Sequence, residues 1–135
     1  PTVFNHNIET VERLSNEIRT RATYRKSLEV LRLAAKAGNG IPVKSGIMLG
    51  LGETDDEVVE TLKDLRLAGV SIVTIGQYLP PSADHWPLDR FVTPDEFARF
   101  GKIAEELGFS AVASSPLVRS SYHAGELQRK GEAGS

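Results

Sequence analysis

The sequence predicts an α/β protein in which parallel strands alternate with amphipathic helices. Short apolar runs rich in β-branched residues are separated by segments of helical period, and glycines end those segments. The predicted element order is β-α-α-β-α-β-α-β. Because β-α-β connections are right-handed, this order favours a parallel sheet, either as part of a (β/α) TIM-like barrel or as a small open sheet. A whole barrel needs roughly 250 residues, and this chain has 135.

The first third of the chain predicts a short strand followed by two helices. The strand is predicted at residues 2–4, where the first apolar residues occur. Helical spacing then indicates one helix that buries Val11, Leu14 and Ile18 and a second helix at about residues 24–37. Gly38 is expected to end the second helix.

The central stretch, residues 43–54, combines a buried strand, a glycine-rich turn and a helix start. Its strand has an apolar run that leaves no room for a solvated face, as is typical of parallel strands. Thr54 and Glu57 have the spacing of a capping box, which predicts a helix at residues 55–68. Units of this kind form ligand sites at the carboxyl ends of their strands.

The last third predicts two more strands around one helix. Thr93, Pro94 and Glu96 form a complete helix start, with a cap, a proline in the first turn and a glutamate at the third position. The predicted ranges are a strand at 70–76, an irregular segment at 77–92, a helix ended by Gly108, and a strand at 110–113. We assign residues 1–125 to one core domain and residues 126–135 to a loose polar tail.

Composition excludes several classes of function. The net charge of −2 gives no reason to expect nucleic acid or an acidic membrane surface as a partner. The longest apolar runs are far shorter than a membrane span. Cysteine is absent, so this chain supplies neither a disulfide nor a thiolate ligand to a metal. Because the first residues already have the pattern of a strand, we expect the chain to be cut from a longer protein.

The glycine-rich turn at Gly50 and Gly52 allows three interpretations. The glycines could simply adopt backbone angles that other residues avoid. They could cradle a phosphate, although the spacing is not that of a P-loop and Glu53 would repel an anion. Alternatively, they could let a flat ligand approach the backbone, with Glu53 fixing the turn or accepting a hydrogen bond. The turn alone does not decide among these interpretations.

Polar side chains follow each predicted strand, and in a parallel sheet they would share the carboxyl edge. Each one also has an ordinary structural explanation, such as capping a strand or turn. Taken together, their placement predicts a binding surface at that edge. The residues concerned are Asn5, His6, Asn7, Glu53, Gln77, Tyr78, Ser114, Ser115 and residues 119–123.

Specific motifs occur along nearly the whole chain, and the most specific is Arg119-Ser120-Ser121-Tyr122-His123-Ala124, preceded by Val118. The central stretch fits the looser pattern G-x-I-x-G-x-x-E, with Met48 at the isoleucine position. The further segments are Val3-Phe4-Asn5-His6-Asn7-Ile8-Glu9-Thr10-Val11, Tyr24-Arg25-x-Ser27-Leu28, Lys44-Ser45-Gly46, Gly50-Leu51-Gly52-Glu53-Thr54 and Gly76-Gln77-Tyr78-Leu79-x-Pro81-Ser82. Together these motifs resemble the carboxyl-terminal half of lipoyl synthase, a radical S-adenosylmethionine family.

This resemblance implies a partial (β/α) barrel of the radical S-adenosylmethionine type and a sulfur-inserting activity. In the family, one 4Fe–4S cluster cleaves S-adenosylmethionine to a radical that removes hydrogen from an octanoyl chain on a carrier protein. A second, auxiliary 4Fe–4S cluster donates the sulfur that makes the lipoyl group. The resemblance further implies a cytoplasmic protein, or a mitochondrial one in a eukaryote. The implied partners are an octanoylated lipoyl-carrier domain and the amino-terminal half of the same domain.

The resemblance also assigns site residues by motif. It places three groups: residues bordering the S-adenosylmethionine pocket, a serine that ligates the auxiliary cluster, and residues on the substrate side. The residues that border the S-adenosylmethionine pocket are Asn5, His6, Asn7, Gly50, Gly52 and Glu53. The serine that ligates the auxiliary cluster is Ser120 or Ser121. The residues on the substrate side are Gln77, Tyr78 and Arg119. The sequence does not choose between the two serines. An oxygen ligand is harder than a thiolate and suits a cluster that must break up.

The sequence departs from the family in one large respect. The family's two cysteine trios lie in its amino-terminal half and are missing here. We therefore expect this chain to be inactive by itself. Two other classes stay open at this point: a small phosphate-binding or nucleotide-binding α/β enzyme that uses the glycine turn, and a non-catalytic half-barrel module that pairs with a partner through the strand at residues 2–4.

Overall fold

The fold is a four-stranded parallel sheet with four helices. The computed structural model describes residues 3–18, 20 and 22–118. The strands are β1 (Phe4–Asn5), β2 (Val43–Leu49), β3 (Ile72–Gln77) and β4 (Ala111–Ser114). The helices are α1 (Glu12–Ile18), α2 (Tyr24–Lys36), α3 (Asp55–Ala68) and α4 (Pro94–Glu106). The predicted order of strands and helices is therefore confirmed.

The sheet order follows the chain order, β1-β2-β3-β4, and every pair is parallel. Right-handed connections that always step in the same direction place their helices on one face of the sheet. Burial along β2 agrees, because Ser45 and Ile47 are 0 % exposed, whereas Lys44 before them and Met48 after them are half-buried. This single-direction winding is that of a partial (β/α) barrel.

Both predicted capping boxes are present. The Thr54 side chain accepts a hydrogen bond from the Glu57 amide, and the Glu57 carboxylate accepts one from the Thr54 amide. Thr93 and Glu96 repeat this arrangement at the start of α4. Gly69 ends α3 in a left-handed conformation with φ of 101°. These local signals explain why the predicted range 55–68 for α3 is confirmed.

The strand ends differ from the prediction in a way that matters for the site. The predicted strand at 70–76 is shifted to Ile72–Gln77, and the one at 110–113 to Ala111–Ser114. Val70 does not join the sheet there because its amide donates to Leu65 O and closes the end of α3. At the other end of β3, Gln77 pairs with Leu49, so it is a strand residue with a buried side chain and not a loop residue.

The core lies between the sheet and its helices. Its largest side chains with less than 2 % exposure include Phe97, Phe100, Leu31, Ile47, Leu62 and Leu65. Tyr24 joins α2 to α3 because its hydroxyl donates to the Asp64 carboxylate at 2.7 Å, and burial raises the pKa of that hydroxyl. In the described part of the chain, every helix falls short of the length and apolarity that a membrane crossing requires.

Two leucines of α3 provide a test of this packing. Leu62 is 0 % exposed and Leu67 is 85 % exposed. We expect Leu62→Ala to lower the free energy of unfolding by about 2–5 kcal/mol, since it removes a buried side chain and leaves a cavity. Leu67→Ala should change it by less than about 0.5 kcal/mol. Urea denaturation of the chain measures both, and equal effects would contradict the described core.

Candidate functional site

A glycine-rich turn at the carboxyl end of β2 is held by the Glu53 carboxylate. This carboxylate accepts hydrogen bonds from the Gly50 amide at 2.9 Å and the Leu51 amide at 3.0 Å. The interpretation that Glu53 fixes the turn is therefore confirmed. This geometry disfavours the phosphate-cradle interpretation, because two of the amides that a cradle would use are already bound to a carboxylate within the turn.

The two glycines of the turn differ in their surroundings. Gly50 has φ of +102°, and a Cβ atom there would lie 2.5 Å from Gln77 Nε2 and 2.6 Å from Arg90 O. Gly50 is thus required for internal packing. Gly52 has φ of +117°, and a Cβ atom there would meet open space. The backbone at Gly52 is therefore open on the side where a side chain would stand.

The segment after β3 lies across this turn. The Trp86 indole donates to Leu51 O at 3.2 Å, and the Asp89 amide donates to Gly50 O at 2.8 Å. The Tyr78 hydroxyl, predicted to lie on the substrate side, donates to Trp86 O at 2.6 Å. Burial raises the pKa of Tyr78. In this structure the Tyr78 hydroxyl therefore braces the segment.

Gln77 was also predicted to lie on the substrate side, and the structure gives its side chain a different task. Gln77 is 8 % exposed. Its amide oxygen and nitrogen are both engaged with backbone groups of β2, the β3 end and the segment before α4. A side chain with its hydrogen-bonding groups used in this way supports a role in positioning the edge better than contact with a substrate.

The prediction that residues 5–7 share this edge is wrong for Asn5. Asn5 pairs with Lys44 near the amino end of β2, and Leu49 ends that strand five residues later. At about 3.3 Å per residue this is about 16 Å along the strand. The reason is register, which cannot be read from β1 by itself. The candidate site residues thus fall into two groups along β2.

The other two residues of this cluster lie between Asn5 and the edge. His6 Nε2 and Ser27 Oγ are 2.9 Å apart, which ties the cluster to α2. The Asn5 and Asn7 side-chain amides make no hydrogen bond to the residues that the structure describes. Glu9 lies four residues after Asn5, but their partners on β2, Lys44 and Ile47, are only three residues apart. The extra residue is a bulge, and it leaves Glu9 one position farther from the carboxyl edge than regular pairing would.

Glu9 is a candidate site residue that the sequence interpretation did not select. It has φ of 77°, alone among the described residues other than glycine. The Thr10 amide donates to Ile8 O at 3.0 Å, so Glu9 is the centre of a tight γ-turn. Backbone strain of this kind costs about 1–3 kcal/mol and clusters at functional sites. The sequence holds no local signal for it, because glutamate is not a turn-forming residue.

Thr10, the residue after this turn, is buried without a partner for its hydroxyl. It is 1 % exposed, and its Oγ1 has no hydrogen-bond partner among the described residues. Unsatisfied buried polar atoms are uncommon in native proteins. The strained turn and this hydroxyl coincide at one point beside β2.

Ion pairs brace the outside of the carboxyl edge. Arg13 of α1 donates to both oxygens of Glu57 at 2.8 and 3.0 Å and to Gly52 O at 2.9 Å. The hydrogen bonds from Arg13 lower the pKa of Glu57 to about 2. Arg90 pairs in the same bidentate way with Glu96 and, as the largest cause, lowers its pKa to about 2.

The residues that the structure describes do not supply the ligands of an iron–sulfur cluster. The sequence has no cysteine, and the described residues hold no group of three or more histidine, aspartate or glutamate side chains placed to share a metal ion. The predicted Arg119, Ser120 and Ser121 lie outside the described residues.

Comparison with known proteins finds relatives that match most of this chain. A family model for the Radical SAM superfamily matches residues 1–65. A protein named lipoyl synthase 2 from Thermosynechococcus vestitus is 57 % identical over 126 residues, which cover 93 % of this chain and 43 % of the relative. The lipoyl synthase of Alcanivorax borkumensis is 56 % identical over 131 residues, or 97 % of this chain and 40 % of the relative. This chain is a relative of the lipoyl synthases.

The lipoyl synthase relationship confirms the resemblance seen in the motifs. The parallel sheet, wound in one direction, agrees with a partial barrel of the radical S-adenosylmethionine type. The lipoyl synthase of Rubrobacter xylanophilus, at 57 % identity over 126 residues, is covered to 39 % of its length. The chain therefore spans about two fifths of the length of the curated relatives that it matches.

The capping-box glutamates predict an acid-sensitive stability. The pKa values of Glu57 and Glu96 are about 2 in the folded chain, against about 4.3 for an unperturbed glutamate. A lowered carboxyl pKa stabilises the fold above the unfolded value, and this contribution is lost as the pH falls from about 4.3 toward about 2. We expect the urea midpoint to fall in that window, and to fall less steeply in the Glu57→Gln/Glu96→Gln variant.

Glu60→Gln is the matched control for this titration. It removes an exposed carboxylate of α3 that forms no ion pair with the described residues, so its pH profile should follow that of the unchanged chain. Identical slopes in all three proteins would show that the arginine pairs at the carboxyl edge do not act on the two glutamates.

Proposed function

We propose that this chain forms part of a lipoyl synthase, which inserts two sulfur atoms into an octanoyl group carried on a protein. The observation that carries the proposal is sequence identity of 54–57 % to proteins of that name over 92–97 % of the chain. The shared segment includes the turn and the strand ends described above. The activity belongs to a longer protein, since the matched relatives are more than twice as long as the matched part.

The proposal assigns the cofactors to different parts of that protein. S-Adenosylmethionine, when bound, supplies the radical that removes hydrogen from the octanoyl chain. The open surface beside Gly52 supports placing it there, with Glu53 holding the turn. Two 4Fe–4S clusters are proposed for the whole enzyme. Their cysteine ligands are absent here, so they must come from outside this chain, with Ser120 or Ser121 proposed as the oxygen ligand of the auxiliary cluster.

The remaining assignments concern the substrate. We propose Tyr78 and Arg119 on the substrate side, and His6 and Asn7 near the S-adenosylmethionine pocket, because they lie nearer to the carboxyl edge than Asn5 does. The strained Glu9 is added to that group. The partners proposed are an octanoylated lipoyl-carrier domain and an amino-terminal half of the same barrel. A cytoplasmic location, or a mitochondrial one in a eukaryote, belongs to the same proposal.

A chimera tests the proposed function. In the lipoyl synthase of Vibrio cholerae, which is 54 % identical over 131 residues, this chain replaces the matched segment. We expect the chimera, reconstituted without oxygen, to convert an octanoylated carrier domain to the lipoyl form with consumption of S-adenosylmethionine. Mass spectrometry of the carrier measures the product.

Single serine variants of the chimera serve as controls. Ser120→Ala or Ser121→Ala should abolish sulfur insertion in one variant and spare it in the other, because one serine is proposed to bind the auxiliary cluster. A folded chimera that forms no lipoyl group would overturn the proposal and favour a non-catalytic half-barrel.

The chain without its partner half makes the opposite prediction. Reconstitution of the chain alone with iron and sulfide should give no stable 4Fe–4S absorption, because thiolates hold such clusters and this sequence has none. The chimera treated in parallel is the positive control. A stable cluster on the isolated chain would contradict the proposal that the cluster ligands come from outside this chain.

A further inference from the structure

The buried end of β3 holds a side chain that contacts three separate segments of backbone. Gln77 Nε2 lies 2.9 Å from Tyr78 O, 3.2 Å from Arg90 O and 3.4 Å from Leu49 O. Its Oε1 accepts from the Val92 amide at 2.9 Å. One amide group thus joins the end of β2, the end of β3 and the segment that leads into α4.

The orientation of this amide is fixed by its neighbours. Three carbonyl oxygens face the nitrogen and one N–H faces the oxygen. The reversed amide would place an oxygen against three carbonyls and an NH₂ group against an N–H, which is unfavourable at every contact. Glutamine therefore fits this position, and glutamate of the same shape does not.

Gly50 contacts both the Gln77 side chain and the segment that leads into α4. Its absent side chain leaves the space that Gln77 Nε2 and Arg90 O fill. Its carbonyl accepts from the Asp89 amide at 2.8 Å and the Arg90 amide at 3.4 Å. The turn and residues 89–92 are consequently held against each other both directly, through Gly50 O, and through Gln77.

We propose that Gln77 is a positioning residue that sets the glycine turn and residues 89–92 in register at the carboxyl edge. Its side chain touches backbone and no reacting atom, so it acts through Gly50 and the Glu53-bound turn. The inference rests on the proposed function for its catalytic consequence, since the turn borders the proposed S-adenosylmethionine pocket. Its structural part stands on the hydrogen bonds alone.

The test uses the chimera with Gln77→Glu and Gln77→Met. The first keeps the acceptor for Val92 but places an oxygen against three carbonyls, and the second keeps the length of the side chain without its polar atoms. Hydrogen exchange of the Val92 amide should become about tenfold faster in Gln77→Met, which removes its acceptor. Exchange of the Asp89 amide should become faster in both variants, because both remove the contact from Gln77 Nε2 to Arg90 O that holds this segment. Ser82→Ala is the control, because Ser82 bonds within the same segment to His85 and Asp84.

Kinetics supply the second readout. In an active chimera the KM for S-adenosylmethionine should rise about tenfold in both variants, while the KM for the octanoylated carrier changes less than about twofold. Unchanged exchange at residues 89–92 and an unchanged KM for S-adenosylmethionine would overturn the inference. So would loss of the folded state in both variants, since Gln77 would then be a general core residue.

The two proposals fail in different ways. If the unchanged chimera forms no lipoyl group, the proposed function fails, and exchange at Asp89 and Val92 still decides the positioning role. If the chimera is active and the Gln77 variants match Ser82→Ala in both readouts, the positioning role fails and the proposed function stands.

Discussion

The Glu53 carboxylate is the group on which the carboxyl edge of this sheet depends. By accepting the Gly50 and Leu51 amides, it turns the chain out of β2 and directs the carbonyls of the same two residues toward the next segment. Gly50 O then accepts from Asp89, and Leu51 O from Trp86. A long connection without regular structure is thereby fixed to the neighbouring strand end. Without the carboxylate, the two amides would lack partners and both carbonyl contacts would lose their geometry.

Charge on the first turn of α3 extends this bracing to the neighbouring helices. The acidic residues Asp55, Asp56 and Glu57 suit the positive end of the helix dipole and the capping box. Arg13 of α1 and Arg99 of α4 bind this acidic turn from either side. Exposed ion pairs contribute little singly. Here they join three helices at one edge, and Arg13 adds a hydrogen bond to the carbonyl of Gly52, the glycine with the open surface.

Local chemistry explains which features could be predicted. The range of α3 follows from a capping box and from Gly69, and both are read within a few residues of each helix end. The position of Asn5 and the burial of Gln77 depend on register between strands distant in sequence. The hydrogen bond from Val70 to Leu65 moved the start of β3 two residues along the chain, and pairing with Leu49 of β2 brought Gln77 from the predicted loop into the sheet. The left-handed Glu9 is imposed by its two backbone bonds to β2, which no pattern around residue 9 announces.

The backbone between Asn5 and Glu9 connects a polar cluster far from the carboxyl edge with a strained turn close to that edge. Asn5 is level with Lys44, about 16 Å along β2 from the end of the strand. The extra residue of the bulge leaves Glu9 level with Ile47, one position short of where regular pairing would place it. Glu9 O nevertheless accepts from the Met48 amide, one residue before the end of β2. The polar segment therefore approaches the carboxyl edge by continuing along β2, and the γ-turn at Glu9 lies where this approach ends.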